Sequence, residues 1–197
     1  MPLKTPQTEL EAVNIILSSV GEDPVDSLGS DLSGRAESVL DEVSREIQER
    51  GWHFNTEPDY EFSIDVDGHC DLPSNVAQFR LPRGHLLDIV QRGSRLYDRR
   101  NHTSVFTGST IKGTVTWLLN WDEIPPTAKR YFTMEAALRH QQRWFGSETL
   151  QGFNENDLRK ARELFKSTEA LQSGATIFDN YTVARIMDRK SGSEFVN

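Results

Sequence analysis

Between Thr8 and Phe54 apolar residues recur twice at helical spacing, and each recurrence ends at a glycine. In the first run Leu10, Val13, Ile16, Leu17 and Val20 fall on one arc of about 120° at 100° per residue, the width of a core-facing stripe. Thr8 stands where a helix cap belongs, and Glu11, three residues on, can reach back to complete a capping box. Gly21 suits the left-handed residue that follows a helix, and Pro24 forbids continuation. In the second run Ala36, Val39, Leu40, Val43 and Ile47 repeat the stripe, and Gly51 stops it. Short helices with polar outer faces persist only against a partner surface. The stretch therefore predicts scaffold, with nothing catalytic in it.

From Tyr60 the period changes to two. Tyr60, Phe62, Ile64 and Val66 alternate with Glu61, Ser63 and Asp65, then Asp67-Gly68 precedes His69 to Leu72. An Asp-Gly pair between two runs predicts a hairpin, and Pro73 ends the second run. Short apolar stretches follow at Val76–Leu81 and Leu86–Val90. Arg95-Leu96-Tyr97 and Ser104-Val105-Phe106 flank a polar tip at Asp98–Thr103, and Val115, Trp117, Leu119 and Trp121 alternate again as the clearest strand. Helical spacing returns after Pro125-Pro126. Thr127 is the expected cap of a long helix carrying Ala128, Tyr131, Phe132, Leu138 and Phe145 on one side and ending at Gly146. Asn154 or Asn156 is the expected cap of a fourth helix, with Leu158, Ala161, Leu164, Phe165 and Leu171 facing the core up to Gly174. The predicted fold is α+β: a bundle of about four helices, with a small antiparallel β unit inserted and an extended C-terminal arm. The bundle is expected over 1–57 and 122–174, the β unit over 58–121 and the arm over 175–197.

A chain of 197 residues, 36 % hydrophobic and 26 % charged, suits a soluble fold with one good core or one core and a satellite. No apolar run approaches the roughly 20 residues that span a bilayer, so membrane insertion is not expected. Met1-Pro2-Leu3-Lys4 has no signal-peptide core, which predicts synthesis and assembly in the cytosol. The single Cys70 makes neither an internal disulfide nor a zinc site. The formal charge of −8 is unevenly spread. Residues 1–72 hold 17 acidic and 4 basic side chains, a net of −13. Residues 73–113 hold 7 basic and 2 acidic, a net of +5. Such asymmetry favours head-to-tail contact between copies, although chance clustering on a solvated surface gives the same count.

No motif assigns chemistry. His53, His69, His85, His102 and His140 never fall at metal-ligand spacing, which leaves surface or capping roles for them. No serine sits in a nucleophile elbow, and no Gly-rich phosphate loop is present. Asp65/Asp67 or Asp122/Glu123 are the pairs a glycan hydrolase would use, though acidic pairs beside turns are usually caps. Trp52, Trp117, Trp121 and Trp144 suit stacking on bases or sugars, and more often close a core or anchor an interface. Arg80, Arg95 and Arg99, interleaved with Tyr97, suit sequence-tolerant contact with nucleic acid, opposed by the net acidic charge. No catalytic, metal or cofactor residue is nominated.

In order, several stretches resemble the tail tubular protein A family of short-tailed podophages. They are Ala12-Val13-Asn14-Ile15-Ile16-Leu17 with Val20-Gly21-Glu22-Asp23-Pro24-Val25, then Ile47-Gln48-Glu49-Arg50-Gly51-Trp52-His53-Phe54-Asn55. Tyr97-Asp98-Arg99, Trp121-Asp122-Glu123-Ile124-Pro125, Arg130-Tyr131-Phe132 and Arg143-Trp144-Phe145-Gly146 complete the set. The resemblance covers about residues 9–174. It implies a non-enzymatic virion protein, an adaptor ring of about twelve copies between the portal and the tail nozzle formed by tail tubular protein B. It also implies tail fibres held at that junction and genome DNA passing through the lumen with transient, non-specific contact. A tail-associated peptidoglycan hydrolase is the alternative from another class. Arg80, Arg95, Arg99 and Arg100, with Ile177, Phe178, Tyr181, Ile186 and Phe195 of the apolar C-terminal stretch, are the expected interface residues.

Overall fold

Thr8 caps α1 (Glu9–Ser18) as the capping box requires: its hydroxyl accepts the Glu11 N–H at 3.2 Å, and a Glu11 carboxylate oxygen accepts the Thr8 N–H at 3.4 Å. The computed structural model describes residues 5–82, 85–146 and 148–174. Ala12, Val13, Ile16 and Leu17 are the buried face of α1. Both ends of the Asn14 amide then fix the loop beyond it, donating to the Val25 carbonyl at 3.0 Å and accepting the Val25 N–H at 2.8 Å. Ser30 closes the start of α2 (Ser33–Gln48) by accepting the Ser33 N–H at 3.1 Å. All five predicted core positions of α2 are buried, from Ala36 to Ile47. Gly51, at φ +73°, takes the left-handed conformation that ends the helical stretch.

The chain returns to helix in α3 (Pro126–Trp144) and α4 (Glu148–Gln172). α1, α2 and α4 all pack on α3. That central place explains why α3 buries Tyr131, Phe132, Thr133, Met134, Ala136, Ala137 and His140, far more than one stripe. Three expectations are corrected here. Thr127 is not the cap: Pro125 occupies the cap position and Pro126 opens the first turn, where its missing N–H costs nothing. Asn154 and Asn156 lie inside α4. Phe145, Leu164 and Leu171 are exposed by 43 %, 47 % and 83 %, and Leu138 is only half-buried. α4 packs chiefly on α3, with a smaller contact to the turn at His53–Asn55, and among its described side chains Ala161, Phe165 and Glu169 are buried. Leu164 and Leu171 lie roughly a quarter-turn off that line.

Between α2 and α3 the described residues form five strands. β1 (Thr56–Ser63), β5 (Thr110–Trp117) and β2 (Val76–Arg80) form an antiparallel sheet in the order β1-β5-β2. β3 (Ile89–Arg92) and β4 (Arg95–Asp98) form a hairpin turned through Gly93, at φ +63°. Pro58 falls in edge strand β1, where the register slips between Glu57 and Tyr60 and no ladder bond is lost. The hairpin predicted at Asp67-Gly68 does not form. The turn itself is there, with Asp65 N–H bonded to the His69 carbonyl at 2.8 Å, but β1 pairs with β5 instead. Residues 70–72 join β4 through the Leu96–Cys70 and Leu72–Ser94 bonds. Phe62, Val76, Phe79, Ile111 and Val115 of the larger sheet and Leu96 of the hairpin share one cluster with Cys70, Leu72 and Phe106. Four helices with small antiparallel sheets make the fold α+β, as predicted.

Candidate functional site

The run Val115, Trp117, Leu119, Trp121 crosses from one core to the other. Val115 and Trp117 belong with the β cluster, Leu119 and Trp121 with the helical one, so β5 stops at Trp117 rather than continuing as predicted. At the crossing two buried amides tie the halves together. The Gln48 side chain accepts the Leu119 N–H at 2.7 Å and donates to the Leu119 carbonyl at 3.2 Å. Asn55 donates to the Gln48 carbonyl at 2.9 Å and to the Trp117 carbonyl at 2.7 Å, and accepts the Trp52 N–H at 2.8 Å. Gln48 and Asn55 are 2 % and 1 % exposed, and a buried amide with every bond made fixes one arrangement. Nearby, Glu169 of α4 accepts the His53 N–H at 2.7 Å, and Phe165 meets Trp52 with ring centroids 4.6 Å apart.

The second charged feature joins α2 to α3. Arg143 takes Glu42 in a two-pronged bridge, both contacts 2.7 Å. Arg139 reaches Glu42 at 3.1 Å and Glu46 at 2.8 Å. The Arg143 hydrogen bonds, with Arg139 adding, bring the Glu42 carboxyl down to about 2. These two arginines neutralise part of the acidic first third of the chain, and no residue spacing announced it.

The predicted interface arginines separate into two places. Arg80 ends β2, while Arg95, Arg99 and Arg100 lie on β4 and the loop after it. Arg95 is bound to Asp71 at 2.6 Å and Arg99 to Asp88 at 2.9 Å. Arg100 donates to the Leu86 carbonyl at 2.9 Å. Arg92, another arginine of the basic stretch and not among the expected interface residues, stacks on Tyr97 with its guanidinium carbon 3.6 Å from the ring centre. Ile177, Phe178, Tyr181, Ile186 and Phe195 lie outside the described residues.

One carboxylate of each acidic pair is a turn acceptor. Asp65 accepts the Asp67 and His69 N–H groups at 2.9 and 2.7 Å, and Glu123 accepts the Asn120 N–H at 3.0 Å. Among the described residues no group of three or more His, Cys, Asp or Glu side chains is placed to hold a metal. His140 departs from the surface role expected of the histidines: it is 1 % exposed, and burial lowers its pKa. Cys70 is buried, and burial with Asp71 and Asp65 nearby pushes its thiol up to about 11. Trp52, Trp117 and Trp121 are half-buried against the cores, while Trp144 is 40 % exposed with its ring 4.8 Å from His140. No described helix is long and apolar enough to cross a membrane.

What these features share is that they tie one element of the fold to another, and comparison with protein families gives that character a setting. The family described as tail tubular protein matches residues 10–175. The chain belongs to the tail tubular protein family. It is a structural component of a phage tail, built to assemble with other tail components. No curated protein matches the chain. The matched range runs from the second residue of α1 past the end of α4, so membership attaches to bundle and β unit alike. In this tail tubular protein the stretches that carry the resemblance are joints: Asn14 on Val25, Gln48 and Asn55 at the crossing, and Gly146 at φ +62° closing α3.

Proposed function

We propose that this tail tubular protein is the adaptor of a short-tailed phage, closing as about twelve copies into a ring that joins the portal to the tail nozzle. Tail tubular protein B forms that nozzle in this reading, and tail fibres attach near the junction. The ring is put together in the host cytoplasm. Genome DNA crosses its lumen with transient, non-specific contact, because an acidic wall repels the phosphate backbone and lets it slide. The observation that carries the reading is family membership over residues 10–175. The uneven charge supports it: an acidic first third and a basic middle give each copy two unlike surfaces, as a head-to-tail ring requires. Arg80, Arg95, Arg99 and Arg100 serve as contacts to neighbouring proteins. Ile177, Phe178, Tyr181, Ile186 and Phe195 form an arm toward the portal or the next subunit.

Particle mass in solution tests this, for the chain alone and after mixing with the matching portal ring. A portal-dependent gain of about twelve subunits is the expected result. A lone monomer that never joins the portal overturns the reading. Deleting residues 175–197 is expected to abolish attachment while leaving the monomer folded; normal attachment by the truncated chain removes the arm from the account.

A further inference from the structure

Beside the crossing between bundle and β unit the surface opens into a groove of about 420 Å³. Leu40, Leu119 and Trp121 give it an apolar floor, and Glu9 and Asp41 stand at its rim. Arg45 holds Asp41 at 2.9 Å. Glu9 makes no ion pair among the described residues, and the charged groups that act on it, Glu37, Asp41 and Asp122, are all acidic. Burial, with these carboxylates adding, raises its carboxyl pKa; Arg45, which also lines the groove, is engaged by Asp41, so at this rim Glu9 is the carboxylate without a cation among the described residues.

The β3–β4 hairpin carries the complementary group. Arg92 is exposed and has no carboxylate partner among the described residues, whereas its neighbours Arg95 and Arg99 have theirs. Stacking on Tyr97 at 3.6 Å holds the guanidinium in place while leaving its in-plane N–H donors open. A fixed arginine on an aromatic ring is the kind of side chain that anchors protein interfaces. An apolar floor under an acidic rim is the shape such an anchor fills.

We infer that the Arg92–Tyr97 face of one copy docks into the Glu9–Trp121 groove of a second copy. The inference rests on the self-assembly read above and names the surfaces that perform it. The contact is heterologous, hairpin to groove, so each copy keeps one of each free to extend the assembly.

The test uses the full chain, alone at rising concentration and on the portal ring. Arg92→Glu and Glu9→Arg are each expected to weaken self-association about tenfold or more, and the double variant to recover most of the loss. A second measurement is independent of charge at Glu9, which lies in the first turn of α1. Chains with Ser44→Cys are mixed with chains carrying Ser94→Cys, an exposed hairpin position that leaves Arg92 in place, and treated with a short bifunctional maleimide; buried Cys70 stays silent. A cross-linked pair is expected in the mixture and absent from either variant alone. If the double variant is no better than the singles and no cross-link forms, the contact is wrong, even where wild-type rings still close on the portal. A Ser44→Cys chain that cross-links only to portal or nozzle assigns the groove to that partner and also overturns the inference. A wild type that never self-associates, alone or on the portal, removes the contact and the ring together.

Discussion

The helical bundle and the β unit keep their cores by different means. In the bundle Val13, Ile16 and Leu17, or Ala36, Val39, Leu40 and Val43, are neighbours in space because they are three or four apart in the chain. In the β unit the core is made by pairings across long stretches of sequence: Phe62 opposite Ile111, Phe79 opposite Val115, and Leu96 bonded to Cys70. The first kind of core is exposed to loss of volume, the second to intrusion between strands already in contact. The joint between them is exposed to neither, and depends on amides whose bonds must all be made. Substitutions chosen for each weakness separate the regions.

The largest effect is expected in the bundle. Phe165 is fully buried against Trp52, Phe54 and Tyr131. Phe165→Ala should cost about 3–5 kcal/mol, read from the urea midpoint of unfolding. Leu171, on the same helix but 83 % exposed, should change stability by less than about 0.5 kcal/mol when cut to Ala. Equal costs at the two positions would break the account of which face of α4 is inside.

In the β unit the sensitive position is Gly113. A Cβ there would come 2.5 Å from Phe79 Cζ and 2.7 Å from the Arg80 carbonyl oxygen. Gly113→Ala should cost about 1–3 kcal/mol through forced displacement, and Phe79→Leu in the same chain should return part of it by freeing the ring edge. Full tolerance of the methyl group would mean the strands lie further apart than described.

These weaknesses track what the sequence disclosed. The stripes of α1 and α2 were legible because local spacing alone decides which face of a helix is apolar, and the Thr8–Glu11 box because its partners are three residues apart. Leu164 and Leu171 sat within the wide arc that such spacing allows, and only the narrow footprint of α4 on α3 excluded them. The Asp67-Gly68 signal correctly marked a turn, yet a turn does not choose the partner of the strand that precedes it. β5 offered β1 a longer ladder from fifty residues away. Of the proposed surfaces, the excess of arginine was visible in the composition. Which arginines were already spent on Asp71 and Asp88 was not, because ion pairs between strands follow a register that the sequence does not display.

The joint should respond at a similar or smaller size. Asn55→Ala strips partners from the Trp52 N–H and from the Gln48 and Trp117 carbonyls, for about 1–3 kcal/mol. Its signature should be loss of coupling: transitions followed by helical circular dichroism and by tryptophan fluorescence, coincident in the wild type, should separate in the variant. Transitions that stay together would show that apolar contact alone holds the two cores as one cooperative unit.

The smallest effect expected is electrostatic and confined to the seam between α2 and α3. Hydrogen bonds from Arg143, then Arg139, hold the Glu42 carboxyl at about 2, below its ordinary 4.5. The folded chain thus binds fewer protons there than the unfolded chain. The contribution is complete above pH 4.5 and lost as pH falls toward 2. Glu46 shifts the same way through Arg139. Both carboxylates are open to water, so the slope is modest and salt-sensitive. Buried His140 acts in a different window: its folded pKa lies below the ordinary 6.5, so the unfolded chain takes up its proton first and stability already declines below pH 6.5. Glu42→Gln should therefore flatten the stability curve only at the acid end and leave the His140 limb unchanged. A Glu42→Gln curve that keeps its full acid slope would move the seam's pH dependence onto other carboxylates and leave the arginine bridge as geometry without measurable energy.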